Sequence, residues 1–454
     1  MSPATSLSDA VQTYNDLLTD DVAAESLAQL EDQMRRRGLF FGERALCTVL
    51  RPRFLTVEQY AFIREHSRTV LRAFNKAFQT AIATDSFRAQ FSLAPWEEEL
   101  VLHDPGFRDP SPTSRLDAFF VAERNELLFT EYNAETPAAP AYNDVLSEVF
   151  YGLPVMRAFL RNYEVRPLPA RPGVLHALLD AFRQWSGTRE APRIAILDWR
   201  EVPTYSEFVL FAEYFRSQGL ECVIVDPREV EYQNGRLVAG DFVITLIYKR
   251  VLISELVARG GLNHPVVRAV RDGAACMVNP FRCKLLHKKA SLAVLQDERN
   301  AHLFDRDERA AIEAHIPWTR LIEERRTVYR GQHIDLVPFI LERREQLVLK
   351  PNDEYGGRGV VLGWLVDQRG WERAVQTALA EPSIVQERVT PPSEPYPSLQ
   401  DGRVQVSDRL VDTNPYVFYS TYVDGCLTRV STEELLNVTA VGGSMVPTFV
   451  AAKR

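Results

Sequence analysis

Lysine and glycine stand together in one short stretch of the chain. Leu347-Val348-Leu349 reads as a buried strand, Lys350 follows it, and Gly356, Gly357 and Gly359 begin six residues further on. Glycines let backbone N–H groups come close to phosphate oxygens, and a lysine ammonium balances phosphate charge. The lysine precedes the glycines, so this is not the Gly-x-x-x-x-Gly-Lys-Ser/Thr loop. The same residues also describe a tight hairpin turn whose glycines serve only positive φ.

Three further groupings could do chemistry. In Arg115-Leu116-Asp117 and Glu131-Tyr132-Asn133, the strand period of two puts Arg115 with Asp117 on one face and Glu131 with Asn133 on another. Paired, such strands present three hard oxygen donors and a guanidinium, a set suited to Mg²⁺ on nucleotide phosphates; they also read as the solvated face of a hairpin. Lys288-Lys289-Ala290-Ser291 reads as a helix start, carrying either phosphate-binding lysines or a solvated basic turn. Ser383-Ile384-Val385-Gln386-Glu387 reads as a strand ending in Gln-Glu, or simply as a strand. His103, His176, His287 and His302 show no metal-ligand spacing, and no Gly-x-Ser-x-Gly elbow exists.

The elements that must position these residues follow from periodicity. Residues 1 to about 90 read as mostly helical, with a capping box at Thr56-x-x-Gln59. Residues 115–135 read as two strands around a turn at Glu123–Glu126. After a stretch with Pro167, Pro169 and Pro172, Ile194–Leu197, a helix capped by Ser206 and stopped by Gly219, and Cys222–Val225 make a strand–helix–strand unit, hence a parallel sheet. Phe242 to Tyr248 reads as its third strand. The first strand ends in Asp198-Trp199-Arg200 without Gly-x-Gly-x-x-Gly, so no dinucleotide site is expected. Residues 391–400, with Pro391, Pro392, Pro395 and Pro397, read as an extended loop. Val417–Val423, a turn at Asp424-Gly425 and Cys426–Val430 read as closing strands.

Composition bounds the function. The 454 residues are 46% hydrophobic and 25% charged, as in soluble globular proteins, and allow about three domains or subdomains. A net charge of −8 argues against nucleic acid or an anionic membrane as partner. No apolar run approaches a membrane span. The first basic residue is Arg35, after seven acidic ones, so no secretory signal is expected; with five scattered cysteines this points to a reducing cytoplasm.

In this order the four groupings resemble the circularly permuted ATP-grasp superfamily, to which glutathionylspermidine synthase-like proteins belong. The resemblance rests on Arg115-Leu-Asp117, Glu131-Tyr-Asn-Ala-Glu-Thr-Pro137, Lys289-Ala290, Lys350-Pro-x5-Gly357-x-Gly359 and Gln386-Glu387, and spans about 115–454. It implies an α/β fold with α+β elements, a parallel-sheet preATP-like subdomain and a glycine-rich lid. It further implies Asp117, Glu131 and Asn133 as Mg²⁺ ligands and Arg115 on the transferred phosphoryl group. Lys289 and Lys350 fall to the ATP phosphates, with Lys288 or Lys284 instead of Lys289 if the helix register shifts. Gly356, Gly357 and Gly359 form the lid loop, Gln386 and Glu387 the adenine hinge, and Arg429 loosely matches a C-terminal arginine on the reacting phosphate. Only seven lysines stand against 46 arginines, and Lys288, Lys289 and Lys350 fall at or beside these phosphate positions.

The implied organisation is a helical region (1–95), a metal-binding part of the catalytic subdomain (96–170), the parallel subdomain (190–280), the nucleotide lid (281–390) and C-terminal strands completing the catalytic subdomain (391–454). The implied activity is ATP-dependent ligation of a small-molecule or peptide carboxylate to an amine through an acyl phosphate, releasing ADP and phosphate. Phosphoryl transfer to a non-carboxylate acceptor and a catalytically silent nucleotide-binding scaffold are the alternatives. No cysteine-peptidase-like module and no recognisable spermidine site precede residue 100, so the resemblance supports the chemistry and not that substrate pair.

Overall fold

A computed structural model describes residues 3–433 and 443–454. The predicted hairpin forms from strands Thr113–Val121 and Glu126–Asn133. Arg115 pairs with Asn133 and Asp117 with Glu131, but Ala118 pairs with Phe129, so Thr130 is an extra residue in the ladder. The hydrophobic pattern requires this slip. Leu127, Phe129 and Tyr132 all enter one core, and an unbroken period of two cannot place both Phe129 and Tyr132 on the same face. A one-residue bulge at Thr130 restores the phase and turns Glu131 and Asn133 to the opposite face. That core also takes Leu116, Phe120 and the long helix Val57–Ala83, which starts at the expected Thr56/Gln59 capping box. Its Phe74 ring lies 4.7 Å from that of Tyr132.

The hairpin is one end of a larger sheet. Asn414–Phe418 pairs antiparallel with Thr113–Val121, placing Tyr416 opposite Arg115. Tyr422–Ser431, Arg403–Val411 and Ser393–Gln400 follow outward, with Ser444–Val446 beside Tyr422–Ser431. Two other sheets border the same cavity, one through residues that follow its strands and the other through residues of the strands themselves. One is the parallel sheet, in the order Cys276–Val278, Leu246–Lys249, Ile194–Leu197, Cys222–Val225. The other is antiparallel: Thr319–Leu321, Ser383–Glu387, Leu347–Pro351, Val361–Leu362.

Four local expectations need correction. Ser206 caps nothing: the helix Tyr205–Ser217 has no side-chain cap, and the Ser206 hydroxyl donates to the Phe40 carbonyl at 2.7 Å. Phe242–Tyr248 is not one strand. Phe242–Ile244 joins a small antiparallel sheet, and only Leu246–Lys249 enters the parallel one. Residues 393–400 are a strand instead of a loop; it lies at the sheet edge, where prolines forfeit little. The closing turn is at residues 419–421, with positive φ at Tyr419 and Ser420, whereas Asp424-Gly425 lies inside the strand Tyr422–Ser431 beside a register shift.

Candidate active site

The three sheets enclose a cavity of about 530 Å³, a volume typical of small-molecule sites. Arg115, Asp117, Glu131 and Asn133 from the hairpin line it together with Arg429, Lys289, Lys350, Gly356, Gly357, Gln386 and Glu387. Gly359 does not. It closes the base of the loop at φ +67°, where an added Cβ would stand 2.7 Å from Pro351 Cγ.

The hairpin presents its charges as linked pairs. Arg115 Nε and a terminal nitrogen donate to the two oxygens of Asp117 at 2.6 and 3.0 Å. A terminal nitrogen of Arg429 donates to Asp117 at 2.9 Å, and Asp412 holds the other side of Arg429 through Nε at 2.5 Å and the backbone N–H at 2.6 Å. Burial opposes ionisation of Asp117, but Arg115 and Arg429 outweigh it and hold its pKa below the usual carboxylate range. Glu131 behaves likewise. Burial would raise its pKa, and Lys289 (3.0 Å away) with Lys350 keeps it low despite Asp117. Both carboxylates are therefore anions at neutral pH.

Lys350 reaches the cavity from the end of its strand. Its ammonium donates to Gln386 Oε1 at 2.7 Å and to the Thr130 carbonyl at 3.1 Å, so its hydrogen-bond partners are neutral oxygens. The Thr130 carbonyl belongs to the bulged residue, which links the hairpin's phase slip to the lysine's position. Burial pushes Lys350 down to about 8, against the pull of Glu131.

Lys289, between helices Cys283–His287 and Ala290–Gln296, donates to the Glu354 carbonyl at 2.5 Å and pairs with Glu131. Lys284 and Lys288 do not line the cavity. Lys284 is held by Asp353 (2.5 Å) and Glu135 (3.2 Å), and Lys288 by Glu97 (2.8 Å) and Asp353 (3.1 Å), beneath the root of the glycine loop.

Sequence reasoning missed several residues. Glu135, fully buried, receives Lys249, Lys284 and the Ile253 N–H, and lysine charge keeps it ionised against the cost of burial. It lies inside the Glu-Tyr-Asn-Ala-Glu-Thr-Pro segment, and that was its only signal. Asn352, buried, clamps the loop root: its amide donates to the Phe91 carbonyl (2.9 Å), its oxygen accepts the Ala290 N–H (2.8 Å), and its own carbonyl accepts the Lys289 N–H (3.0 Å). Asn352→Ala should cost about 2 kcal/mol in urea unfolding, because it strands a buried donor and acceptor. Asp412, which positions Arg429, and Asp198 and Arg250, on the opposite wall, carried no local signal.

No protein-family model and no curated protein matches the chain. A solved structure does. A glutathione synthetase-like effector from Globodera pallida, in its apo form, superposes with a TM-score of 0.60 at 12% identity, over 94% of this chain and 96% of that one. The two proteins share a fold. A RimK-domain ATP-grasp protein from Sphaerobacter thermophilus (18% identity, 57% of this chain and 90% of that one, TM-score 0.28) and D-alanyl-alanine synthetase A from Vibrio cholerae (10%, 54% and 69%, 0.27) align too poorly to carry an argument. The expected α/β class stands, in the fold of that effector. No helix among the described residues is long and apolar enough to cross a membrane.

Proposed function

We propose that this chain is an ATP-dependent carboxylate–amine ligase of the circularly permuted ATP-grasp type. The observation that supports it best is that anionic side chains of the hairpin 113–133 and the ammonium groups of Lys289 and Lys350 line one cavity. Those elements are far apart in sequence. The fold shared with the glutathione synthetase-like effector is compatible with this reading and does not itself establish it.

The donor set suits Mg²⁺. No group of three or more His, Cys, Asp or Glu among the described residues is arranged to hold a metal ion by itself, but Mg²⁺ bound to nucleotide commonly takes only one or two carboxylates, with phosphates and water. Asp117 and Glu131 supply two ionised carboxylates and Asn133 an amide oxygen. With ATP bound, the metal would neutralise phosphate charge during transfer of the γ-phosphoryl group to a carboxylate.

The protein's own groups do the rest. Lys289 and Lys350 are placed to meet phosphate oxygens, and Lys350, with only neutral partners, has charge free for them. Arg115 and Arg429, held in place by Asp117 and Asp412, face the reacting acyl phosphate. Val348, Leu362 and Trp364, beside the strand end Gln386-Glu387, form an apolar slot for the adenine. The loop with Gly356 and Gly357 covers the cavity and keeps water from the acyl phosphate.

The test is ADP release from the full chain with ATP, Mg²⁺ and a matrix of carboxylates and amines. An amide formed in step with ADP and phosphate is expected. A phosphorylated non-carboxylate product would establish the phosphotransferase alternative, and ATP binding by calorimetry without turnover of any pair would establish the nucleotide-binding scaffold.

A further inference from the structure

We propose that the end of the cavity formed by the parallel sheet receives the amine substrate as its ammonium ion, and that Asp198 takes its proton. The inference rests on the ligase reading and adds the charge class of the nucleophile and the group that activates it.

Topology makes the crevice. From Ile194–Leu197 the chain goes to its neighbour Cys222–Val225, then returns to Leu246–Lys249 on the other side. The strand order reverses between Ile194–Leu197 and Leu246–Lys249, and at such a point the loops leaving the carboxyl ends diverge and leave room for a ligand. Asp198 directly follows the first of these strands and Arg250 the second, and both line the cavity.

Asp198 is 7% exposed. Its carboxyl group's one hydrogen bond comes from the adjacent Trp199 N–H at 2.8 Å, and no cation among the described residues pairs with it. The charges that act on it most are Arg250, Glu255 and Lys249. The two cations are already engaged. Arg250 is held by Glu207 (3.3 Å), the Tyr248 hydroxyl (2.9 Å) and the Pro137 carbonyl (2.9 Å), and Lys249 by Glu135 (3.3 Å). Burial therefore prevails and pushes Asp198 up to about 7, although the Trp199 N–H and Arg250 pull the other way.

A second carboxylate stands beside it. Glu255, from helix Ile253–Gly260, lines the same wall, accepts Trp199 Nε1 at 2.8 Å and meets the Tyr355 hydroxyl of the glycine loop at 3.5 Å. The two ends of the cavity differ in their unpaired charge: at the hairpin and lid end Arg115, Arg429, Lys289 and Lys350 stand with Asp117, Glu131 and Asp412, whereas at this end Arg250 is taken up by Glu207, and Asp198 and Glu255 have no lysine or arginine salt-bridge partner among the described residues. A carboxylate ligand would be repelled there, whereas an ammonium would be drawn in and lose a proton.

The chemistry balances. Asp198 accepts one proton from R–NH₃⁺, giving the neutral amine. The nitrogen lone pair attacks the acyl carbon, the C–N bond forms, and the C–O bond to phosphate breaks with its electron pair leaving on phosphate. The second nitrogen proton goes to that phosphate, and Asp198 returns the first to solvent.

The experiment uses two nucleophiles of similar size, methylamine, protonated at pH 7, and hydroxylamine, neutral at pH 7, with ATP, Mg²⁺ and the carboxylate panel. Wild-type protein should form both the N-methylamide and the hydroxamate. If it forms neither with any carboxylate, the ligase reading fails. Asp198→Asn should lower N-methylamide formation about 100-fold or more and leave hydroxamate formation within about threefold. In the variant N-methylamide formation should rise about tenfold per pH unit with the free amine, without the levelling above about pH 7 that ionised Asp198 gives the wild type. Glu255→Gln should raise the KM for methylamine and leave that for hydroxylamine unchanged. Equal loss of both products in Asp198→Asn, or loss of neither, overturns the assignment while the wild-type products leave the ligase reading intact. The variant should fold, because a carboxyl whose pKa is raised on folding loses stability as pH rises towards 7, and asparagine escapes that loss.

Discussion

Lys350→Met should lose about a thousandfold in ATP-dependent ADP release and yet melt at a higher temperature than the parent at pH 7. The loss follows from the position of the ammonium on the cavity wall, with neutral oxygens as its partners. The gain follows from its pKa. In the folded chain it lies near 8, below the ordinary lysine value of about 10.4. Between those values the unfolded chain binds a proton that the folded one does not, so stability rises with pH across that window. Below it the fold bears the full cost of a buried ammonium, about 2 kcal/mol after allowing for partial exposure, and methionine relieves it. ADP release by coupled assay and a thermal scan at pH 7 and pH 10 check both halves. The stability advantage should shrink at the higher pH, and a fall in melting temperature at pH 7 would contradict the account of the lysine.

Asp117→Asn should also abolish turnover, but with the opposite effect on the fold. The carboxylate lies between the guanidinium groups of Arg115 and Arg429, both buried or nearly so. Without its charge Arg115 loses its carboxylate and faces Arg429, which keeps only Asp412, at a cost of about 3 kcal/mol. Its folded pKa is lowered, so its contribution is complete above the unfolded value of about 3.9 and disappears as pH falls through the folded one. Urea midpoints of parent and variant should therefore differ most at neutral pH and converge in acid. Alanine at the same position should abolish ADP release equally. Parental turnover in either variant would remove Asp117 from the site.

Particular residues show why some of this was legible in the sequence. The alternation in Arg115-Leu-Asp117 and Glu131-Tyr-Asn133 fixes which side chains share a face, because the strand period is two. The hydrophobic phase slip between Phe129 and Tyr132 was equally visible and marks the bulge at Thr130. Local signals misled where two structures share one signature. Asp424-Gly425 has the chemistry of a turn and sits inside a strand, while Tyr419 and Ser420 take positive φ with no residue type that announces it. The proline run at 391–397 excludes a central strand and leaves an edge strand open. Asp198, Asp412 and Glu135 were hidden for a different reason. Each matters through a partner or a cavity wall supplied by another part of the chain, and periodicity carries no information about that.

The pairing of Tyr416 with Arg115 joins positions roughly 300 residues apart. During synthesis, the strand Thr113–Val121 must wait with one row of backbone groups unsatisfied until the segment 414–431 leaves the ribosome. Over that interval it is a bare template for any passing extended chain. The same late pairing brings Arg429 to Asp117, so assembly of the cavity's charged wall and capping of that exposed edge are a single folding event.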